Sequence, residues 1–375
     1  MILAAGRGKR MKQGSDDPYI LSTPKPLLKI RGMPIIERIV RKLYLSGIKI
    51  GIVINPTDEM QFKDALKEYD ITYCHQLEPK GTANALYSAR NFVSDDLFLV
   101  YMGDDISDYN FNDLIEADKP TIFGVEVEHL DDYGAIIIDS NGYAEKILEK
   151  AKTGTGIANS GIYVMPKEFF EIYDMIQPNQ LKDEYYLTEA VNLLYNAGNP
   201  FILKKIEYWK GINRLTDLIE ENKFNKDALN IRNAKQEDLN DLMSLLSQLS
   251  KNLEGNNCYF SLGKQLDAIL SDKNMHLLIA EYHGEIVGTA TLLVQPNLTH
   301  SGRPYGHIEN VVTRNDMRGN GIGMILVENL INLGKKRDCY KIILDCKSDN
   351  IPFYEKCGFK ISGEIEMRLD IFDNE

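Results

Sequence analysis

Two stretches of the sequence combine glycines with cationic side chains in the way that phosphate sites require. In the first, residues 3–11, Gly6 and Gly8 flank Arg7, and Arg10 follows. Glycines let backbone N–H groups approach phosphate oxygens, and arginines add charge-assisted hydrogen bonds. The stretch has neither the third glycine of a dinucleotide fingerprint nor the Gly-Lys-Ser/Thr ending of a P-loop. It therefore predicts an anion site of another kind.

A lysine between two prolines offers a further cation. Pro24 and Pro26 stiffen the backbone around Lys25, which restricts where its ammonium group can lie. Residues 1–42 contain ten Lys and Arg against three Asp and Glu, whereas residues 95–149 contain two against fifteen. The first segment is therefore predicted to bind an anion, and the second could hold a cation.

The second glycine-rich stretch spans residues 311–323, between a predicted strand and a predicted amphipathic helix over residues 324–336. Arg318, Gly321 and Gly323 lie at this junction. Glycines there expose backbone N–H groups, and the N-terminus of a helix carries partial positive charge. The junction is therefore predicted to bind a pyrophosphate group.

The elements that must position these stretches fall into two domains. Apolar and amphipathic runs alternate in the first, with predicted strands at residues 49–54, 71–74 and 96–102 and predicted helices at residues 34–46, 60–69 and 81–92. This βαβ rhythm predicts an α/β fold with a Rossmann-like, mostly parallel sheet and helices on both faces. After a polar stretch, an α+β domain follows with a predicted helix at residues 236–250 and strands at residues 276–282 and 285–294. We place the two domains at residues 1–227 and 228–375.

Composition limits the class of protein. The 375 residues are 43% hydrophobic and 26% charged, as in a globular protein of two or three domains. The net charge of −12 argues against a nucleic-acid binder, and no apolar run reaches the roughly 18 residues that would span a membrane. The five cysteines form no Cys-x-x-Cys pair, so neither a zinc site nor a disulfide framework is expected. We expect a cytoplasmic protein with small-molecule substrates.

Further motifs place the first domain in a family. They follow in order: Gln76 with residues 80–86, Gly103-Asp104, Tyr133-Gly134, Glu149-Lys150, and residues 158–163, 184–188 and 211–214. With residues 3–11 and 24–28, they resemble the sugar-phosphate nucleotidyltransferases, in particular the N-acetylglucosamine 1-phosphate uridylyltransferases, over about residues 1–220. That family joins a sugar 1-phosphate to the α-phosphorus of a nucleoside triphosphate and releases pyrophosphate.

The resemblance implies a role for each matching residue. It assigns nucleotide binding to Leu3, Ala5, Gly6, Arg7, Gly8 and Arg10, and neutralisation of the triphosphate charge to Arg10 and Lys25. The base would be read by Gln76, Gly81 and Thr82, and the sugar would be held by Gly134, Glu149 and Asn159. Mg²⁺ would be held by Asp104 and Asn213. Hard oxygen ligands of this kind suit Mg²⁺. At one position the chain differs, because Arg214 follows Asn213 where the resembled uridylyltransferases have a second asparagine.

The second domain resembles the GNAT acyltransferases through residues 311–323. Residues 306–310, 339–346 and 350–359 narrow the resemblance to the glucosamine-6-phosphate N-acetyltransferases, which are dimers. It implies that acetyl-CoA contacts Val311, Val312, Arg318, Gly319, Asn320, Gly321, Gly323, Asn350 and Tyr354, and that Glu309 and Asp345 bind the amino sugar. Tyr354 would protonate the departing thiolate. Asn310 stands where that group commonly has aspartate, and His307 is predicted to be a satisfied core histidine.

These resemblances predict a bifunctional enzyme of UDP-N-acetylglucosamine synthesis that forms homodimers and binds neither nucleic acid nor membranes. It would acetylate glucosamine 6-phosphate and join N-acetylglucosamine 1-phosphate to UTP, with a separate mutase between the two steps. Three alternatives stay open at this point. The acetyl acceptor could be glucosamine 1-phosphate, the first domain could bind its ligands only for regulation, or it could use another pair such as dTTP and glucose 1-phosphate.

Overall fold

The computed structural model divides the chain into two compact units, Met1–Phe224 and Asn225–Glu375. It describes residues 1–13, 15–107, 118–130, 133–149, 154–179, 183–249 and 261–364, with residues 367 and 369. The division lies three residues before the position near residue 227 that the composition of the chain predicts. Within the described ranges, no helix is both long and apolar enough to span a bilayer.

The first unit contains most of the strands. These are β1 (Ile2–Leu3), β2 (Lys29–Ile30), β3 (Met33–Pro34), β4 (Ile50–Ile54), β5 (Ile71–His75), β6 (Leu97–Met102), β7 (Asp105–Ser107), β8 (Thr121–Val127), β9 (Ala135–Ile138), β10 (Tyr143–Leu148), β11 (Gly156–Pro166), β12 (Phe201–Lys205) and β13 (Trp209–Gly211). Its helices are α1 (Lys9–Lys12), α2 (Pro18–Ser22), α3 (Ile35–Leu45), α4 (Glu59–Ala65), α5 (Thr82–Tyr87), α6 (Phe169–Ile172), α7 (Leu187–Asn196) and α8 (Leu215–Asn222).

Nine of these strands form one sheet, in the order β5-β4-β1-β6-β11-β8-β12-β10-β9. The four strands of the βαβ segment, β5, β4, β1 and β6, all pair in parallel. Beyond β6 most pairings are antiparallel, with β8–β12 as a parallel exception. The α/β prediction is thus confirmed, but the sheet is mixed rather than mostly parallel, because only the segment with helical crossovers pairs in parallel throughout. Strands joined by short loops, such as β9 and β10, pair antiparallel instead.

The sheet is covered on both faces. Neighbouring residues of one strand point to opposite sides, so Ile52 belongs to one buried cluster and Val53 to the other. The apolar stripe of α3 packs on the first side, and α5 and α7 pack on the second. Two helices are shorter than predicted. Residues 66–69 and 88–92 continue α4 and α5 as tighter turns with hydrogen bonds to the third residue back.

The second unit is a five-stranded sheet with helices. Its strands, in spatial order, are β14 (Leu229–Asn233), β15 (Met275–Tyr282), β16 (Glu285–Gln295), β17 (Tyr305–Thr313) and β18 (Ile342–Ile343). Its helices are α9 (Leu239–Leu246), α10 (Leu262–Ser271), α11 (Ile322–Lys336) and α12 (Ile351–Lys356). The predicted helix at residues 236–250 is confirmed as a short turn followed by α9, and Ser250 lies outside the described residues.

Candidate active sites

A cavity of about 440 Å³ opens beyond the carboxyl ends of β1 and β6 in the first unit. Ligands of open α/β sheets bind at this edge, because the loops that follow parallel strands meet there. Twelve of the predicted residues line it: Leu3, Ala5, Gly6, Arg7, Gly8, Arg10, Lys25, Gln76, Gly81, Thr82, Asp104 and Asn213. The tertiary structure therefore gathers five separate sequence motifs around a single space.

The glycine loop after β1 leaves room in this cavity. A Cβ atom at Gly6 would meet no other atom within 4 Å, so the backbone there faces open space. Gly8 has φ +59° and a Cβ atom on it would lie 3.1 Å from Cβ of Lys25. The side chains of Arg7 and Arg10 are exposed. The loop thus offers accessible backbone and two solvated cations to an anion.

Lys25 joins the two predicted metal ligands. Its Nζ donates to the Asp104 carboxylate, with which it forms an ion pair, and to Oδ1 of Asn213 at 3.1 Å. The lysine side chain is only 9% exposed, whereas that of Asp104 is 31% exposed. A carboxylate and an amide oxygen directed at one point are the hard donors that Mg²⁺ takes. The residues present therefore fit such an ion.

Asn213 reaches this point through a two-stranded ribbon. β7 and β13 pair antiparallel, with Gly211 opposite Asp105. The Ile212 N–H donates to the Asp104 carbonyl at 3.1 Å, and the Asn213 N–H donates to the Asp217 carboxylate at 2.8 Å. These bonds fix the backbone on both sides of the asparagine side chain.

Asp105 is a buried acid that the sequence analysis did not assign. It accepts a hydrogen bond from the Trp209 indole N–H at 3.1 Å. Burial, and then the neighbouring Asp104 charge, raise the pKa of Asp105 well above its ordinary value, against the opposing effects of Lys25 and Trp209. The acid packs beneath the site and links β7 to β13. The only sequence signal was its place after Asp104.

The predicted base-reading turn is tightly built. Gly81 has φ +93°, and a Cβ atom there would lie 2.5 Å from the Tyr185 carbonyl oxygen, so only glycine fits. The Leu187 N–H donates to the Thr82 hydroxyl at 3.0 Å. Gln76 is buried and donates to the Gly81 carbonyl at 3.1 Å and to Asn84 at 2.9 Å.

Two further side chains that the sequence analysis left without a role line the cavity. Tyr186 donates its hydroxyl to Glu184 at 2.8 Å. Burial, then that hydrogen bond, raise the pKa of Tyr186 to about 12, and the Glu149 charge acts in the same direction. Their motif, residues 184–188, was visible in the sequence, but nothing in it indicated which side chains turn inward.

The predicted sugar residues are not in the cavity lining, yet they lie together beside it. A Cβ atom on Gly134 would lie 3.7 Å from Oε1 of Glu149 and 3.8 Å from Cβ of Asn159. The Asn159 amide donates to the Tyr163 hydroxyl at 2.7 Å and accepts from Gly161 N–H at 3.1 Å. A Cβ atom on Gly161 would lie 2.7 Å from Cγ of Met102, which lines the cavity, so the group adjoins the cavity wall.

In the second unit, two parallel strands separate where acetyl-CoA is predicted to bind. β17 and β18 pair only at Gly306 and His307. Further along β17, Val311 and Asn310 together oppose one residue of β16, which is a bulge. Asn310 has φ +54°. Asparagine and aspartate tolerate this left-handed conformation, which gives a backbone reason for either residue at this position.

The glycine-rich junction follows β17. Gly319 and Gly321 have φ +85° and +79°, and a Cβ atom on either would meet nothing within 4 Å. Arg318 is exposed and donates to the Thr313 carbonyl at 3.3 Å, while Asn320 donates to the Met317 carbonyl at 3.0 Å. The loop before the 15-residue helix α11 is thus open to a ligand.

Helix α12 brings Tyr354 to the same region. A Cβ atom on Gly323 would lie 3.2 Å from the Phe353 ring, so the two helices touch at this glycine. Asn350 precedes α12 and is exposed. Burial, then the charges of Cys346, Cys357 and Glu309, raise the pKa of Tyr354. Its hydroxyl makes no hydrogen bond within the described part of the chain.

His307 is not the satisfied core residue that we expected. Its Nε2 is buried and makes no hydrogen bond to any described residue, but it lies 3.2 Å from Glu309 and 3.5 Å from Asp345. One ring nitrogen of His307 and one carboxylate oxygen from each of Glu309 and Asp345 all lie within 4.8 Å of one another. The prediction was wrong because it rested on the strand position alone. Glu309 lies two residues further along β17, and the segment after β18 brings Asp345 to the same ring, so two half-exposed carboxylates lie beside Nε2.

Comparison with known proteins finds a different family in each of the two units of the chain. The nucleotidyl transferase family model matches residues 1–228, and the GNAT acetyltransferase family model matches residues 240–359. The chain is 30% identical over 224 residues to bifunctional protein GlmU of Methanococcus aeolicus, covering 59% of this chain and 53% of that protein. It is 47% identical over 88 residues to glucosamine 6-phosphate N-acetyltransferase of Trypanosoma brucei brucei, covering 24% and 59%.

The matches leave much of these relatives uncovered, since the chain spans about half the length of the curated proteins that it matches. A solved Bacillus anthracis protein assigned as a glucose-1-phosphate thymidylyltransferase shares the fold of the first unit. It aligns with a TM-score of 0.51 at 24% identity, over 60% of this chain and 96% of its own. The chain belongs to the nucleotidyl transferase family and carries a GNAT acetyltransferase domain after its nucleotidyltransferase domain.

Proposed function

We propose that this bifunctional transferase catalyses two of the reactions that lead to UDP-N-acetylglucosamine. The GNAT domain would move acetyl from acetyl-CoA to glucosamine 6-phosphate, and the first domain would move uridylyl from UTP to N-acetylglucosamine 1-phosphate. The observation that carries the proposal is the cavity in which Lys25, Asp104 and Asn213 meet beside the glycine loop. The name of one relative, glucosamine 6-phosphate N-acetyltransferase, supports the choice of the acetyl acceptor.

In the first domain the protein mainly positions reactants and neutralises charge. The open backbone at Gly6 and the exposed Arg7 and Arg10 would hold the triphosphate. Lys25 would stabilise charge at the α-phosphate while the sugar phosphate oxygen attacks and pyrophosphate leaves. Asp104 and Asn213 would hold Mg²⁺, which supplies Lewis-acid stabilisation of the phosphate oxygens when bound.

In the second domain the amine of the sugar attacks the thioester carbon, and CoA leaves as a thiolate. The backbone after the bulge at Asn310 would donate an N–H to the thioester oxygen. Tyr354 would donate its proton to the sulfur, the nitrogen would release one proton to solvent as the amide forms, and solvent would reprotonate Tyr354. A phenol is protonated at neutral pH, and burial raises the pKa of Tyr354 further, so the hydroxyl carries the proton that this step requires. Glu309 and Asp345, with side chains 55% and 54% exposed, would bind the amino sugar.

The two reactions differ in where the sugar carries phosphate. The acetylated product has it on carbon 6, and the uridylyl acceptor needs it on carbon 1. A phosphomutase reaction must therefore connect them. The proposal also includes a homodimer, as the acetyltransferase resemblance implies, and a cytoplasmic location, as the absence of cysteine pairs in the sequence favours. Light scattering of the purified protein would measure its mass.

A substrate panel tests the proposal. The purified protein is assayed for free CoA with glucosamine 6-phosphate, glucosamine 1-phosphate and glucosamine, and for pyrophosphate with UTP, dTTP, CTP and GTP against several sugar 1-phosphates. We expect the highest kcat/KM for glucosamine 6-phosphate and for UTP with N-acetylglucosamine 1-phosphate. Preference for dTTP with glucose 1-phosphate would contradict the proposal and indicate another sugar nucleotide as the product. UTP binding without pyrophosphate release would contradict it too and indicate that the first domain is a regulatory module.

A further inference from the structure

We infer that Asn84 and Tyr173 set the base selectivity of the nucleotide cavity by holding the Gln76 amide in one orientation. The inference rests on the proposed nucleotidyl transfer and adds two positioning residues to it. Asn84 lies on α5, and Tyr173 lies in the turn Tyr173–Met175 that follows α6. Neither side chain lines the cavity, so each would act through Gln76.

Both amide hydrogens of Gln76 are used inside the protein. Nε2 donates to the Gly81 carbonyl at 3.1 Å and to Oδ1 of Asn84 at 2.9 Å. The Gly81 carbonyl oxygen can only accept a hydrogen bond, so Nε2 of Gln76, rather than Oε1, must face that oxygen. Oε1 makes no hydrogen bond to any residue that the structure describes. The polar group that Gln76 can offer to a ligand in the cavity is therefore an acceptor.

An acceptor at this position selects bases by their ring nitrogen. Uracil and thymine carry an N3–H that can donate to Oε1 of Gln76. The corresponding ring nitrogen of cytosine is itself an acceptor, so two lone pairs would face each other. UTP and CTP have nearly the same size and identical triphosphates. Their ratio of kcat/KM therefore isolates the orientation of this one amide from phosphate and sugar binding.

The other end of the Asn84 amide contacts a rigid support. Its Oδ1 accepts from Gln76, and its Nδ2 donates to the Tyr173 hydroxyl at 3.0 Å, so both ends of the amide are hydrogen-bonded. The Tyr173 ring stacks on Tyr87 with centroids 3.9 Å apart and planes inclined by 12°. The Arg90 guanidinium lies over the Tyr87 ring at 4.7 Å. The hydrogen-bond chain from the cavity thus ends on a packed aromatic pair.

The test compares UTP with CTP in four variants of the full chain, measured by pyrophosphate release with one sugar 1-phosphate. Asn84→Leu leaves one N–H of Gln76 unpaired, and an unpaired buried group of this kind changes such ratios by about tenfold or more. We expect the UTP preference to fall by that factor. Asn84→Asp keeps an oxygen toward Gln76 and should retain the preference, and Tyr173→Phe should lower it less than Asn84→Leu does.

Ser88→Ala is the matched control. It removes another hydrogen bond on the same helix, from the Ser88 hydroxyl to the Asn84 carbonyl at 2.9 Å, without touching Gln76. A merely structural role for Asn84 would change UTP and CTP turnover by the same factor, which is the result that we expect for the control. An unchanged ratio in Asn84→Leu and Tyr173→Phe overturns the inference. If the wild type releases no pyrophosphate from any nucleotide, the proposed function fails instead, and UTP and CTP affinities by calorimetry decide the inference separately.

Discussion

Replacing Asp104 with Asn should both abolish pyrophosphate release and destabilise the first unit before any ligand is added. The second effect follows from Lys25, whose side chain is 9% exposed and would lose the negative charge with which it forms an ion pair. Breaking a buried ion pair costs about 3–5 kcal/mol, and an exposed pair contributes about 0–1 kcal/mol. Because Asp104 is 31% exposed, we expect a loss of about 2 kcal/mol.

The single tryptophan of the chain makes this loss measurable in one unit. Trp209 donates to Asp105 beneath the site, so its fluorescence reports unfolding of residues 1–224. A loss of about 2 kcal/mol corresponds to a fall of about 4–8 °C in Tm for a unit of this size. Acetyl transfer, measured by CoA release, should be unchanged. Glu126→Gln is the matched control, since the Lys205–Glu126 pair is 56% and 70% exposed and should contribute little.

A double-mutant cycle completes the test. Lys25→Met combined with Asp104→Asn removes both charges. The double variant should therefore lose less unfolding free energy than the two single variants lose in sum. Additive losses, or an Asp104→Asn variant with the wild-type Tm, would show that the two groups are not coupled. Pyrophosphate release near the wild-type rate in Asp104→Asn would refute its proposed place at the metal.

Three further predictions concern single residues. Gly81→Ala should abolish pyrophosphate release and spare acetyl transfer, because its Cβ atom would lie 2.5 Å from the Tyr185 carbonyl oxygen; Gly142→Ala, with a similar φ of +85° and no atom within 4 Å, should keep both activities. Asn310→Gly should keep acetyl-CoA affinity, whereas Asn310→Val should weaken it by disfavouring the left-handed conformation of the bulge; equal affinities by calorimetry would contradict this reasoning. Tyr354→Phe should slow acetylation by about 10²-fold or more at nearly unchanged acetyl-CoA affinity, and an unchanged rate would remove its role as an acid.

Local chemistry explains what could be predicted before the structure was known. The βαβ segment up to residue 102 follows from short-range apolar periodicity, and its parallel strands are observed. Motif resemblance supplied the residues that line the cavity, including Gly81, whose backbone conformation only glycine adopts freely. The antiparallel strands beyond β6 were not predicted, because their pairing depends on partners far away in the sequence.

The sequence by itself determined which residues can bind phosphate and which backbone turns can form, because glycine content, proline restraint and charge are properties of neighbouring residues. Only the tertiary structure decided the contacts between distant ones. Lys25 meets Asn213 across 188 positions, and Asp105 is buried under Trp209 across 104. Asp345 lies beside His307, 38 positions away in the chain, because β17 pairs with β18. Such contacts arise from strand register and burial, which no local pattern encodes.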